Sequence, residues 1–198
     1  MDTHGDKKLN IITKTTELAM KITLEYIGEG DTVIDATAGN GHDTLLLAEA
    51  AGESGKVIAF DIQETAIEHT KALLQEHGML DRVKLVKDSH EHLEKYLDKG
   101  SRPSAVIFNL GYLPTGDKSI TTKADTTISS IVTASKLIKL GGIITLVLYS
   151  GHEEGKQEKE RILDLLGQFS PREFHVAYTS MINQPNNPPE IVWITRKK

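Results

Sequence analysis

Val33-Ile34-Asp35-Ala36-Thr37-Ala38-Gly39-Asn40-Gly41-His42-Asp43 decides how the chain is read. Residues 32–36 form a run short enough for a strand and apolar enough to be buried on both faces. The run ends in a turn punctuated by Gly39 and Gly41, and residues 43–51 then read as a helix closed by Gly52. Glycine allows a positive φ and lets a ligand reach the backbone. In an open α/β sheet, a turn of this kind at the carboxyl end of the first strand is where a ligand binds.

The same alternation continues on either side. Upstream, residues 13–27 carry Leu18, Ile22 and Tyr26 at helical spacing and stop at Gly28. Downstream, residues 56–61 predict a second strand, 65–77 a helix stopped by Gly78, and 83–86 a third strand followed by a short helix over 90–97. A fourth strand spans 104–109, a polar loop 111–123, a helix 124–140 and a fifth strand 143–149. A helix over 156–166 leads to apolar runs at 173–178 and 191–195, joined through the Pro-rich turn 184–189. That turn is too short for a crossover helix, so the last two strands pair antiparallel. The expected fold is therefore α/β and Rossmann-like: a seven-stranded, mostly parallel sheet with a C-terminal antiparallel hairpin and helices on both faces.

With 198 residues, no internal repeat and no linker-like tract, residues 1–198 are expected to form a single domain. The absence of cysteine excludes disulfides, thiolate nucleophiles and Cys-based zinc sites. No apolar run approaches the roughly 20 residues that span a bilayer, so no membrane partner is expected. The opening Met1-Asp2-Thr3-His4-Gly5-Asp6 lacks the basic-then-apolar layout of a secretory signal, and a cytoplasmic location is the expectation. A net charge of −5 argues against a surface that grips nucleic acid all over, while leaving room for a local basic patch beside a pocket.

The glycine turn admits two cofactors. In a dinucleotide enzyme, Gly-x-Gly-x-x-Gly seats a pyrophosphate on the helix N-terminus, but here Thr44 holds the third glycine position. Asp35 and Asp43 flank the turn, and two carboxylates suit a cation better than a diphosphate. S-adenosylmethionine (SAM) brings both a sulfonium and an α-ammonium. Asp61 ends the second strand, where a carboxylate accepts from both ribose hydroxyls of either cofactor. Asp88-Ser89 ends the third strand, where an adenine amino group would find an acceptor.

Asn109-Leu110-Gly111-Tyr112-Leu113-Pro114 follows the fourth strand. It resembles the Asn/Asp-Pro-Pro-Tyr/Phe signature of amino-group methyltransferases, with Leu110-Gly111 in place of the two prolines. In that signature the Asn side-chain oxygen and the next backbone carbonyl accept from a substrate N–H and aim the nitrogen lone pair, while the aromatic ring packs against the target. Asn109, Leu110 and Tyr112 are therefore the candidate catalytic residues, and no side-chain nucleophile is required.

Three motifs together resemble a bacterial family labelled rRNA methylase, over nearly the whole chain: 35–44 (DATAGNGHDT), 109–117 (NLGYLPTGD) and 184–189 (QPNNPP). The family is one of class I SAM-dependent methyltransferases and includes the tRNA 5-(aminomethyl)-2-thiouridine methyltransferase. The resemblance implies N-methylation of an aminomethyl group on the wobble uridine of tRNA, with release of S-adenosylhomocysteine and without a metal. It implies cofactor contacts at Asp35, Gly39, Asn40, Asp43, Asp61, Gln63, Asp88 and Ser89, and the neighbouring Thr37, Gly41 and His90 join that candidate set. Substrate contacts are implied at Asn109, Leu110, Gly111 and Tyr112. The family's Pro-rich turn carries one Asn fewer than Asn186-Asn187.

An RNA partner, tRNA above all, gains support from the Thr-rich loop after the fourth strand, where Lys118 and Lys123 are candidate substrate contacts. Lys7, Lys8, Lys14 and the terminal Arg196-Lys197-Lys198 are further candidates for phosphate. His90-x-His92 beside Asp88 lacks a third ligand at metal spacing, residues 153–161 read as a solvated helix face, and Trp193 reads as core. Rival readings are an rRNA base or small-molecule amine as acceptor, a nicotinamide-dependent oxidoreductase, and an RNA-binding module with structural SAM. A homodimer is the default expectation for a soluble protein.

Overall fold

The computed structural model describes residues 14–111, 122–185 and 187–198. Seven strands form one sheet: β1 (Thr32–Asp35), β2 (Lys56–Asp61), β3 (Val83–Lys87), β4 (Ala105–Leu110), β5 (Ile143–Leu148), β6 (Phe174–Thr179) and β7 (Glu190–Arg196). Their order is β3-β2-β1-β4-β5-β7-β6, and among these strands β7 alone is reversed, pairing antiparallel with both β5 and β6. The chain leaves β1 to one side to make β2 and β3 and to the other to make β4 and β5. The gap between the carboxyl ends of β1 and β4 is thus the point where strand order switches, and it opens a crevice.

Among the described residues five α-helices cover the sheet: α1 (Thr15–Leu24), α2 (His42–Ala51), α3 (Glu64–Glu76), α4 (Ala124–Leu137) and α5 (Glu153–Gly167). Alternate residues of each strand serve opposite layers. Val33, Val57, Ala59 and Ile107 pack with Met20, Leu47 and Leu74 of α1–α3, while Ile34, Phe60, Phe108 and Leu146 pack with Ile131, Ile138, Ile162 and Leu166 beneath α4 and α5. Among the described residues no helix is long and apolar enough to cross a membrane.

Most elements shift by a residue or so from the sequence reading, α1 ends at Leu24 instead of 27, and three others differ in bounds or type. The segment after β3 winds as a 3₁₀-helix, His90–Tyr96. Helix α4 stops at Leu137 because Ile138 turns extended to bury its side chain in the core. Helix α5 starts earlier, at Glu153, with Glu153 and Glu154 favourably placed in the positive first turn. Gly155 makes that start possible, since a Cβ there would sit 2.1 Å from the carbonyl oxygen of Tyr149.

Strand reversal also moves the basic C-terminus. Glu190 lies opposite Leu148 and Thr195 opposite Ile143, so Arg196-Lys197-Lys198 emerge at the amino end of β5. At about 3.3 Å per residue they are separated from the crevice by at least the length of β5, roughly 17 Å. Any phosphate they meet is therefore one distant from the crevice.

Helix α1 is pinned to the sheet by one buried pair of hydroxyls. Thr23 Oγ1 donates to the Ala19 carbonyl (2.8 Å) and stands 2.7 Å from Thr145 Oγ1 of β5. Because Thr23 has already spent its only proton, Thr145 is the donor between them. Thr145→Val therefore removes a donor and leaves Thr23 bonded, at a cost of about 1 kcal/mol, whereas Thr23→Val strands a buried hydroxyl and costs about 1–3 kcal/mol. Urea unfolding midpoints check the order, and equal costs would show that the hydroxyl of Thr145 finds another partner.

Candidate active site

Strands β1 to β5 present their carboxyl ends to a cavity of about 600 Å³. Of the residues singled out from sequence, Thr37, Gly39, Asn40, Asp43, Asp61, Gln63, Asp88, Ser89, His90, Asn109, Gly111 and Lys123 line it. Asp35, Gly41 and Leu110 do not. Tyr112 and Lys118 lie outside the described residues.

Asp35 sits under the turn instead of facing the cavity. Only 1% exposed, it accepts from the Thr37 backbone N–H (3.0 Å) and from Thr44 Oγ1 (2.6 Å). The residue that broke the dinucleotide pattern is thus the one that locks α2 to the tip of β1. Burial pushes the Asp35 carboxyl up to about 7, with the charge of nearby Asp43 adding to the effect. Gly41 answers a different need: its φ is +85°, and a Cβ there would meet Thr70 Cα of α3 at 2.8 Å. Leu110 buries its side chain in the core, so it offers the site only its backbone.

Asp61 ties β2 to the glycine turn, accepting from the N–H groups of Gly39 (3.0 Å) and Gln63 (2.9 Å). Next to it Ile62 lines the cavity with 53% of its surface exposed, an apolar face for a ring. Asp88 takes bonds from His92 Nδ1 (2.9 Å), Tyr96 Oη (2.8 Å) and the Ser89 N–H (2.7 Å), which hold its carboxyl down at about 2. Its two oxygens are engaged within their own loop, so a ligand meets Asp88 only through the remaining lone pairs. His90 turns the other way and buries its ring edge-on against Phe108. A carbonyl can only accept, so His90 Nδ1 carries the proton bonded to the Ala36 oxygen (3.1 Å). Burial lowers its pKa and keeps the ring neutral, and Nε2 remains a buried acceptor with no partner among the described residues.

Asn109 closes the crevice from β4. Its backbone N–H donates to Thr37 Oγ1 (2.7 Å), its Nδ2 donates to Asp43 Oδ2, and its Oδ1 is buried with no partner among the described residues. Two unmet acceptors and three nearby carboxylates leave the cavity short of positive charge and of N–H donors. A cation carrying N–H groups supplies both, which is the chemistry of SAM and of an amine acceptor.

Several lining residues went unnoticed in the sequence: Thr16, Ile62, Thr122, Thr126 and Tyr149. Tyr149 directly follows β5, and that position at a strand's carboxyl end is the signal by which it was findable. Its ring packs over Gly111, where a Cβ would meet it at 3.5 Å. Glu158 corrects the solvated reading of 153–161: at 6% exposure it accepts from Thr122 Oγ1 (2.8 Å) and Thr127 Oγ1 (2.7 Å). It thereby anchors the start of α4 at the cavity wall, a long-range role that charge spacing along α5 does not encode.

Residues 57–195 match the family model described as Putative rRNA methylase. Over 184 residues the chain is 41% identical to the chloroplastic tRNA (mnm(5)s(2)U34)-methyltransferase of Arabidopsis thaliana, covering 88% of this chain and 67% of that protein. An rRNA methylase structure from Clostridium thermocellum superposes with a TM-score of 0.90 at 44% identity, over 92% of this chain and 97% of that one. A Streptococcus mutans protein described as a putative methyltransferase, in complex with SAH, superposes at 0.83 with 32% identity, over 92% and 98% of the two chains.

The raised carboxyl of Asp35 predicts a pH signature of folding. The unfolded chain releases this proton near pH 4 and the folded chain near 7, so between those values the folded state binds more protons and stability falls as pH rises. Asp35→Asn keeps an acceptor for Thr37 and removes the titration. Urea midpoints at pH 5 and pH 8 are expected to favour the variant more at the higher pH, and an equal offset at both would place Asp35's pKa in the ordinary range.

Proposed function

The chain belongs to the rRNA methylase family and is a SAM-dependent methyltransferase, and on that premise we propose that it methylates RNA, N-methylating the aminomethyl group of 5-(aminomethyl)-2-thiouridine at the wobble position of tRNA. The observation that carries this reading is Asn109 Oδ1, a buried acceptor with no partner among the described residues, on a residue that lines the cavity at the tip of β4. An acceptor nitrogen that still bears hydrogen satisfies it. The identity to the Arabidopsis enzyme supports the choice of tRNA as carrier.

The cavity residues divide into two groups. Asp61, Ile62, Gln63, Ser89 and His90 hold the adenosine half of the cofactor, with Asp61 accepting from ribose hydroxyls and His90 Nε2 offering an acceptor to an N–H. Asp43 and the backbone of Gly39 and Asn40 hold the amino-acid half, with Asp35 behind them fixing the turn. When bound, SAM supplies a methyl group on a positively charged sulfur, and S-adenosylhomocysteine is the product.

The chain's own contribution is placement. Asn109 Oδ1 and the Leu110 carbonyl accept from the substrate N–H and turn the nitrogen lone pair toward the donor side of the cavity. An alkylammonium has a solution pKa of about 10.4 and no lone pair, so desolvation between Tyr149 and the core favours the neutral amine that reacts. Lys123, exposed at the rim, meets phosphate, and Lys118 belongs to the same polar segment.

Nucleoside mass spectrometry of tRNA from cells with and without the gene tests the substrate. Loss of one methylaminomethyl nucleoside with accumulation of its unmethylated precursor is the expected result. An unchanged tRNA profile with a methyl group missing from rRNA would transfer the reaction to an rRNA base, and unchanged RNA of both kinds would refute RNA methylation. In the purified protein, Asn109→Ala is expected to lose about 100-fold in turnover with cofactor affinity nearly unchanged. Asp61→Ala is expected to do the reverse, and calorimetry with S-adenosylhomocysteine separates the two.

A further inference from the structure

Asn109 has an amide whose two ends do opposite things. The oxygen accepts from a substrate N–H and leaves the nitrogen lone pair free, whereas the NH₂ group would donate into that lone pair and block attack. An unconstrained asparagine offers either end. Something must choose.

We propose that Asp43 makes the choice, as a positioning residue that holds the Asn109 amide with Nδ2 turned away and Oδ1 committed to an acceptor nitrogen bearing at least one hydrogen. An ionised carboxylate can only accept, so its bond to Asn109 admits the NH₂ end alone. The backbone is held as well, through the Asn109 N–H on Thr37 Oγ1 at 2.7 Å. The two anchors, at the β1 turn and the first turn of α2, leave Oδ1 buried and without a partner among the described residues. Negative charge on Asp43 also repels the amide oxygen, so the reversed orientation is disfavoured twice. The arrangement selects primary and secondary amines or exocyclic amino groups over nucleophiles without an N–H.

This inference rests on the reading of Asn109 as the substrate's acceptor, and the experiment separates the two. Four proteins are compared: Asp43→Asn, Asp43→Ala, Asn109→Asp, and the double exchange Asp43→Asn/Asn109→Asp. In the double exchange the two side chains trade places: the amide introduced on α2 donates to the carboxylate introduced on β4, whose second oxygen takes the place of Oδ1 as an acceptor. Turnover is measured on tRNA from cells lacking the gene, S-adenosylhomocysteine affinity by calorimetry, and the Asn109 side-chain amide by ¹⁵N–¹H NMR of the full chain.

The Asp43 single variants are expected to lose about 100-fold in kcat with little change in KM for tRNA, and a smaller factor in cofactor affinity, because Asp43 also stands beside the amino-acid half of the cofactor. The double exchange is expected to regain at least about tenfold relative to Asp43→Asn. The Asn109 amide protons are expected to lie further apart in the parent protein than in a free asparagine amide, because one of them is bonded to Asp43, and to converge toward the free-amide separation in Asp43→Ala. A double exchange that binds cofactor yet recovers nothing would overturn the proposal, as would Asp43 variants whose turnover falls no further than their cofactor affinity, since that marks a cofactor ligand and nothing more. If the parent protein leaves aminomethyl tRNA unmethylated, the substrate reading fails. The NMR arm then decides alone: amide protons unmoved by Asp43→Ala refute the orienting bond, and their convergence sustains it.

Discussion

The tip of β4 is bolted to the turn after β1 by two hydrogen bonds from a single residue, and the site depends on that joint. Asn109 reaches Thr37 with its backbone and Asp43 with its side chain, across sequence separations of 72 and 66 residues. Without the joint, two neighbouring strands would simply end near each other. With it, the glycine turn, the first turn of α2 and the strand that carries the chemistry share one geometry. It lies where the strand order reverses direction, the one place in a doubly wound sheet where two adjacent strand tips diverge and leave room for a ligand.

The joint is assembled in an electrostatically costly place. Asp35 and Asp43 are both buried, and burial drives both carboxyls upward while their mutual repulsion adds to the shift on Asp35. Each is partly compensated: Asp35 by Thr44 and the Thr37 N–H, Asp43 by Asn109 and the nearby His42. What remains is a pocket whose negative field exceeds what its own hydrogen bonds neutralise. A positively charged methyl donor completes the compensation, so the same charges that strain the free protein give it affinity for SAM. Asp88 shows the contrast. With His92, Tyr96 and the Ser89 N–H around it, its charge is already satisfied, and it serves to shape the β3 loop.

A second long-range anchor works at the far wall. Glu158 from α5 takes two threonine hydroxyls, at Thr122 and Thr127, and so fixes where the chain re-enters the fold at α4. The anchor is charged at one end and neutral at the other, so it holds the wall without bringing another cation into a pocket that receives one. Tyr149, laid over Gly111, closes the space between β4 and β5 in the same way, by contact.

Much of this was legible in the chain itself, because it is encoded locally. Apolar runs, helical periodicity and glycine stops placed all seven strands and five helices to within a few residues, and the motif residues at the tips of β1 to β4 marked the cavity. Identity at 35–44 and 109–117 carried the family. Three things needed the tertiary structure. One was direction: only the pairing of β7 with β5 shows that the C-terminal cations lie far from the crevice. Another was orientation, since the same Asp35 that a motif marks as a ligand contact turns beneath the turn to hold Thr44. The last was satisfaction: whether Asn109 Oδ1, His90 Nε2 or Glu158 has a partner depends on residues dozens of positions away. Spacing along a chain specifies which groups stand near one another within an element, while hydrogen-bond partners between elements exist only once the sheet has brought distant segments together.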